Sequence, residues 1–245
     1  MSNILTMKPY NQEQTKKEQV EEMFDNIAPN YDKLNHIISF NLDRIWRRRV
    51  MRIVRRAKAT KIMDIATGTG DLAIAMAKRI DRTQILGIDL SEEMLAVARR
   101  KVQKQGLEER IILEKGDAEN LTMVESGSID AVTVAFGVRN FENLEQGLRE
   151  IHRTLREGGK FVVLELSVPK NRLIRWFYAQ YSHRVLPSIG AMISKDKQAY
   201  VYLPESIDEF PAPERFAEML KEAGFKGVKR RKQSFGVAHI YEAVK

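Results

Sequence analysis

Apolar positions along this chain recur at two spacings, and the spacings divide it into parts. Over residues 12–28 and 42–58 they fall at helical intervals, with Ile45, Trp46, Val50, Ile53, Val54 and Ala57 on one stripe. From residue 61 onward, short apolar runs alternate with amphipathic stretches. The runs predict strands over residues 61–65, 84–88, 110–114, 129–135 and 160–166, and the stretches predict helices over 71–80, 91–105 and 141–156. Such alternation builds βαβ units, whose parallel strands are covered on both faces. Ser91 is placed to cap its helix, with Glu92 and Glu93 in the first turn where the dipole favours acids.

The pattern breaks over residues 168–212, which are rich in aromatics and prolines and read as an insertion. Regularity returns with a helix in PERFAEMLKEAGF, closed by Gly224, and then two strands around a turn near Gly236. A connection that short makes the pair antiparallel. The expected organisation is one α/β domain over residues 1–245, with a helical cap over 1–58 and the insertion over 168–212.

Composition narrows the chemistry. At 245 residues and 43% hydrophobic, the chain is long enough for one compact domain. It has no cysteine, which excludes disulfides, thiolate metal sites and a cysteine nucleophile. No apolar run approaches the ~18 residues of a membrane span, and the N-terminus lacks a secretory core, so a cytoplasmic location is expected. The formal charge of +8 raises nucleic acid or anionic lipid as partners. Much of it is clustered, since residues 44–58 carry eight basic residues and no acid, and Lys229, Arg230, Arg231 and Lys232 adjoin one another. No RNA-binding module is recognisable, so no nucleic acid is expected. The histidines, at 36, 152, 183 and 239, are scattered, and no spacing suggests a metal. His152 reads as a surface residue and His239 as part of a terminal strand.

The stretch KIMDIATGTGDLA, residues 61–73, carries the candidate chemistry. Gly68 and Gly70 permit a tight turn and close approach of a ligand, and the helix that follows offers free N–H groups to an anion. A dinucleotide would fit this loop as well, so the loop alone does not decide. The acids do. Asp64 ends the first strand, Asp71 follows the loop, Asp89 ends the second strand, and Asp117 follows the third. In a parallel sheet these carboxylates gather near one mouth, where they would repel a pyrophosphate by several kcal/mol at partly buried distances and attract a ligand carrying ammonium and sulfonium charges. S-adenosylmethionine has both charges, a carboxylate for the helix N-terminus, and a ribose diol for Asp89.

These residues, with Leu155-Arg156-Glu157-Gly158-Gly159-Lys160 before a strand, resemble the class I S-adenosylmethionine-dependent methyltransferases. YDKLNHIISFNLDRIW, from Tyr31 to Trp46, and RTLREGGKFVVLELS, from Arg153 to Ser167, resemble the two signatures of the ubiquinone/menaquinone biosynthesis C-methyltransferases. Phe136-Gly137-Val138-Arg139-Asn140 is similar to that family's FGxRN stretch, and the DEFP at residues 208–211 is in keeping with it. Asp43 stands where the first signature usually has histidine, which removes an imidazole from this segment. The resemblance implies a Rossmann-like, mostly parallel seven-stranded sheet with an antiparallel last strand. It implies cofactor contacts from Thr69, Asp89, Asp117 and Ala118, beside Asp64, Gly68 and Gly70 of the loop. The implied reaction is methylation of a ring carbon of a demethylated, prenylated hydroquinone, with the naphthoquinol preferred to the benzoquinol.

Methylating an aromatic carbon requires an electron-rich ring, and an ionised hydroquinone supplies one without covalent activation. Arg139 is the expected stabiliser of the phenolate and Asn140 its orienting partner; the bland reading is that Arg139 pairs with a carboxylate and holds its loop. Tyr31, Asp32 and Asn35 either close over the pocket or form a capped turn. His183 is the one histidine considered as a base. The aromatic insertion reads as core, as the wall of a prenyl groove, or as a peripheral membrane contact helped by the basic 44–58 helix. A homo-oligomer is also compatible. Other readings are an RNA methyltransferase, an O- or N-methyltransferase on the same fold, and a catalytically silent cofactor-binding protein.

Overall fold

The computed structural model describes residues 6–10, 13–185 and 198–245, apart from the side chains at 183 and 185. Three helices come first: α1 (Lys16–Ile27), α2 (Tyr31–Ile38) and α3 (Leu42–Arg56). The alternating region follows as β1 (Lys61–Ile65), α4 (Asp71–Ala77), β2 (Gln84–Asp89), α5 (Glu92–Lys104), β3 (Ile111–Lys115), β4 (Ile129–Ala135), α6 (Leu144–Thr154) and β5 (Leu155–Leu166). Then come α7 (Arg172–Gln180), α8 (Gln198–Glu209), α9 (Pro213–Glu222), β6 (Lys226–Gln233) and β7 (Ala238–Val244).

All seven strands share one sheet in the order β3-β2-β1-β4-β5-β7-β6. Neighbours are parallel from β3 to β5, while β7 runs antiparallel to both β5 and β6. The chain leaves β1 in one direction to β2 and β3, and resumes on its other side with β4. That reversal opens a crevice at the carboxyl ends of β1 and β4, which is where a doubly wound sheet receives its ligands. The two buried faces of the sheet hold separate apolar cores, one around Val132, Leu148, Phe161 and Phe216, the other around Val50, Val54, Ile62, Met76 and Val162. A third core lies outside the sheet. It joins Val20, Met23 and Ile27 of α1 and Leu34 of α2 to Tyr200 and Tyr202 of α8, so the N-terminal helices and part of the 168–212 segment close over the same end of the sheet.

The helical starts follow their caps. Thr15 and Glu18 form a reciprocal capping box that sets the beginning of α1 later than residue 12, and Ser91 accepts from the Met94 N–H at 3.1 Å. Four expectations need correction. The segment after α1 is a further helix, α2, rather than a capped turn; at eight residues, after Pro29, it is too short for its period to stand out. Ile45 does not share the buried stripe of α3 and is 43% exposed. It lies at i, i+4, i+7 with the exposed Arg49 and Arg52, about 100° around from Trp46, and the buried polar Asp43 joins the inner face instead. The 168–212 segment is helical at both of its described ends, where aromatic residues and an internal Pro204 obscure the spacing. His152 also departs from expectation, since its ring stands edge-on to Phe225 with centroids 5.0 Å apart.

Candidate active site

The chain turns sharply after β1. Ala66, Gly68 and Gly70 all take positive φ (+52°, +55° and +79°), a conformation open to glycine at little cost. The turn is pinned from the next strand: Asp89 Oδ2 accepts from the Gly68 N–H at 2.7 Å, and Asp89 Oδ1 from the Ser91 N–H at 3.0 Å. Beneath it, Asp64 accepts from the hydroxyls of Thr67, at 2.8 Å, and Thr133, its register partner on β4. Burial pushes the pKa of both Asp64 and Asp89 up to about 6, against hydrogen bonds that favour the carboxylate.

A narrow cleft of about 70 Å³ runs along this turn. Gly68, Asp89, Asp117, Ala118 and Asn140 line it, together with Gly137. Its roof is α1, from which Lys17, Val20 and Phe24 reach in, and Lys17 is ion-paired with Asp117. Lys16, the neighbouring residue, is almost fully buried; its ammonium donates to the Arg139 carbonyl at 3.2 Å, and burial lowers its pKa to about 8. This roof is not legible in the sequence, because an amphipathic helix announces a buried face and not the surface it docks on.

Thr69 and Gly70 face away from the cleft, and Asp64 lies beneath it. The Thr69 hydroxyl donates to Asp32, and Lys101 reaches Thr69 at 3.2 Å and Asp32 at 2.8 Å. Asp71 pairs with the same lysine and with Arg47 at 3.6 Å. Burial alone would raise its pKa, but Lys101 and Arg47 hold it below the usual carboxylate range. Asp32 and Asp71 thus belong to a polar cluster that ties α2, α3, α4 and α5 together behind the loop.

Beside the cleft lies a larger cavity of about 370 Å³, walled by α1, α2, α3, α7 and α8 and mostly apolar. Phe24, Tyr31 and Phe136 border both spaces. Arg139 stands in the cavity wall, 7% exposed; its Nη1 donates to Glu165 Oε1 at 2.8 Å and to the Phe136 carbonyl at 2.6 Å, and its Nε is buried without a partner. Burial opposes its charge and Glu165 more than offsets that, so the guanidinium stays protonated. The ion pair and the cavity position hold together, and the two readings of Arg139 are not exclusive. Asn140 accepts from the Tyr202 hydroxyl at 3.2 Å. Burial raises the pKa values of Tyr31 and Tyr202, which stay neutral phenols at physiological pH. The side chain of His183 lies outside the described residues.

Asp43 also lines the cavity. It accepts from Ser39 Oγ at 2.7 Å, pairs with Arg47, and lies 3.0 Å from Nδ1 of His36. An imidazole therefore does stand at this site, contributed by His36 of α2 and held by the Asp43 carboxylate of α3. Among the described residues, no group of three His, Asp or Glu is arranged to hold a metal.

A glycine turn, carboxylates on adjacent strand ends and an apolar cavity alongside suit a cationic nucleoside donor next to an apolar acceptor. Comparison with known proteins bears on this directly. The model of the ubiE/COQ5 methyltransferase family matches residues 12–245. The chain belongs to that family. A demethylmenaquinone methyltransferase of Bacteroides fragilis is 44% identical over 239 residues, covering 98% of this chain and 97% of the relative. A ubiquinone/menaquinone biosynthesis C-methyltransferase of Geobacter sulfurreducens is 41% identical over 231 residues, with 94% and 90% covered. Among solved structures, a SAM-dependent methyltransferase from Aquifex aeolicus superposes with a TM-score of 0.55 at 16% identity, over 75% of this chain and 81% of that one. The cyclase SpnF gives 0.70 at 18% identity, over 100% and 99%. These likenesses establish the fold, and a cyclase among them shows that the fold by itself selects no reaction.

Proposed function

We propose that the chain transfers a methyl group from S-adenosylmethionine to a ring carbon of a demethylated, prenylated naphthoquinol. The observation that carries this reading is the contact of the two spaces: an apolar cavity of about 370 Å³ meets the carboxylate-lined cleft across Phe24, Tyr31 and Phe136, with one buried guanidinium in its wall. The family's relatives named for demethylmenaquinone support the naphthoquinol over the benzoquinol.

The donor, when bound, supplies an electrophilic methyl group. Everything else falls to the chain's own residues. Asp89 and Asp117 offer acceptors to the nucleoside end, and the roof helix excludes water from it. Tyr31 and Phe136 are aromatic walls against which a flat ring can lie. Arg139 faces that ring as a fixed cation. A phenol ionises with a pKa of about 10, and a cation nearby lowers it by about 1–3 units, which makes a useful fraction anionic near neutrality. The phenolate drives electron density onto the adjacent carbon, which bonds the methyl group as the donor's sulfur–methyl bond breaks and a neutral thioether leaves; the ring then loses the proton of that carbon to water. Alignment of carbon, methyl and sulfur supplies much of the rate.

The test is methyl transfer to a short-chain demethylmenaquinone, read by mass spectrometry with and without a reductant. The expected product, one ring methyl heavier, forms only under reducing conditions, because the quinone is not a nucleophile. Donor binding with no product on the reduced substrate would overturn the assignment.

The raised pKa of Asp89 has a second, signed consequence. A carboxyl with a pKa of about 6 takes up a proton as pH falls below that value and ceases to be a full acceptor. Donor affinity should therefore weaken on acidification below pH 6, by up to about tenfold per unit, and Asp89→Asn should flatten that slope while weakening binding at pH 8. Calorimetric titration between pH 8 and pH 5 measures it, and a flat wild-type profile would count against the role given to Asp89. The ligand-free fold responds in the opposite sense: Asp64 and Asp89, with folded pKa values raised above 3.8, contribute stability below that value which is lost as pH rises through about 6.

A further inference from the structure

The apolar cavity takes lining residues from the α2–α3 turn (Phe40), α7 (Ile174 and Phe177) and the β6–β7 turn (Val237). Large apolar side chains stand in solvent on each of the α2–α3 turn, α7 and the β6–β7 turn: Phe40 is 73% exposed, Leu173 66%, Trp176 56%, Phe177 60% and Phe235 80%. The nine-residue α7 buries none of its residues, yet Leu173, Trp176 and Phe177 fall at i, i+3 and i+4 on one face. The patch is continuous with the cavity. Phe40 and Phe177 are themselves in its wall, Phe177 meets Trp176 edge-on at 4.9 Å, and Ser234, beside Phe235, accepts from Trp46 Nε1 at 3.1 Å. A soluble monomer rarely keeps such a contiguous apolar patch without a partner for it.

Charge identifies the partner. Across residues 39–61, 168–185 and 226–237 the sole acid is Asp43, and it is buried and paired with Arg47. Arg44 and Arg48 on α3 and Arg172 and Arg175 on α7 are exposed around the aromatics. We propose that this face docks on an anionic lipid bilayer, with α7, Phe40 and Phe235 at the boundary between headgroups and acyl chains and the arginines on the phosphates. The proposal rests on the prenylated substrate assigned above, since docking would open the cavity mouth onto the hydrocarbon that holds the prenyl tail. A basic helix with an aromatic face lying in the membrane plane has this composition. A second copy of the chain fits less well: a two-fold contact through this face would set its arginines against the same arginines.

The experiment is flotation of the intact protein with vesicles of phosphatidylcholine alone and of phosphatidylcholine with phosphatidylglycerol, without substrate. Partition into the anionic vesicles is expected to exceed that into neutral ones by about tenfold and to fall with added salt. The two tryptophans report on the face directly, because Trp46 is buried and Trp176 exposed, so vesicles should shift the emission to the blue. The variant L173S/W176S/F235S should lose about tenfold in vesicle binding and methylate a short-chain quinol in solution at the wild-type rate. No preference for anionic vesicles, or equal binding by wild type and variant, overturns the proposal. Self-association that shields Trp176 without lipid, seen by light scattering, overturns it too and gives the face to a second copy. Vesicle binding by a protein inactive on every quinol would support the docking surface and remove the substrate assignment alone.

Discussion

Replacing Arg139 with methionine is expected to lower methyl transfer by about 10²–10³-fold, the scale of losing one fixed charge that faces developing negative charge. The same change strands Glu165, 1% exposed, without its partner, and breaking a buried ion pair from one side costs about 3–5 kcal/mol. Loss of activity in the single variant would thus mix two effects, and a second substitution separates them. In Arg139→Met/Glu165→Gln the uncompensated carboxylate is gone, so most of the thermal stability should return while activity stays low. Recovery of activity together with stability would show that Arg139 serves only to hold its loop. Melting temperature and kcat, measured on the single and double variants, decide between these outcomes.

Gly137→Ala is expected to be nearly as damaging, for a steric reason. A Cβ at Gly137 would lie 2.4 Å from the Cβ of Ala66 and 3.0 Å from Cγ1 of Val134, distances at which something must move. Ala66 belongs to the glycine turn, and the residues after Gly137 bring Asn140 to the cleft and Arg139 to the cavity, so the methyl group would wedge apart the donor and acceptor sites proposed above. Overpacking of this kind costs about 1–3 kcal/mol. A misplacement of about 1 Å costs on the order of 10²-fold in rate. Kinetics should show kcat falling far more than donor affinity. An alanine variant with wild-type turnover would mean that the two loops move independently.

The strand-helix alternation was legible because β1, β2, β4 and the second half of β5 are mostly apolar and mostly buried, and α5 and α6 carry their own caps in Ser91 and Asn143. The glycine turn and Asp89 were legible because strand order alone brings the ends of β1 and β2 together. What escaped was contact between remote segments. Nothing local marks Lys17 as the partner of Asp117, a hundred positions away, or Glu165 as the partner of Arg139. The resemblance makes Thr69 a cofactor contact, yet its hydroxyl donates to Asp32 behind the turn. Asp43 read as the loss of an imidazole, and the fold brings His36 to that carboxylate instead. The segment after β5 resisted reading because aromatic residues suit a core, a groove wall and an exposed face equally well.

Two consecutive lysines at the start of α1 hold different things: Lys17 grips a carboxylate of the donor cleft, and Lys16 the backbone of the loop that carries Arg139. One helix therefore touches the linings of both spaces. Any ligand that shifts it on one side changes the free energy of binding on the other, and linkage makes that influence mutual. Whatever factor the donor imposes on the affinity for the quinol, the quinol must return to the donor, so the order in which the two arrive is a property of the roof as much as of either ligand.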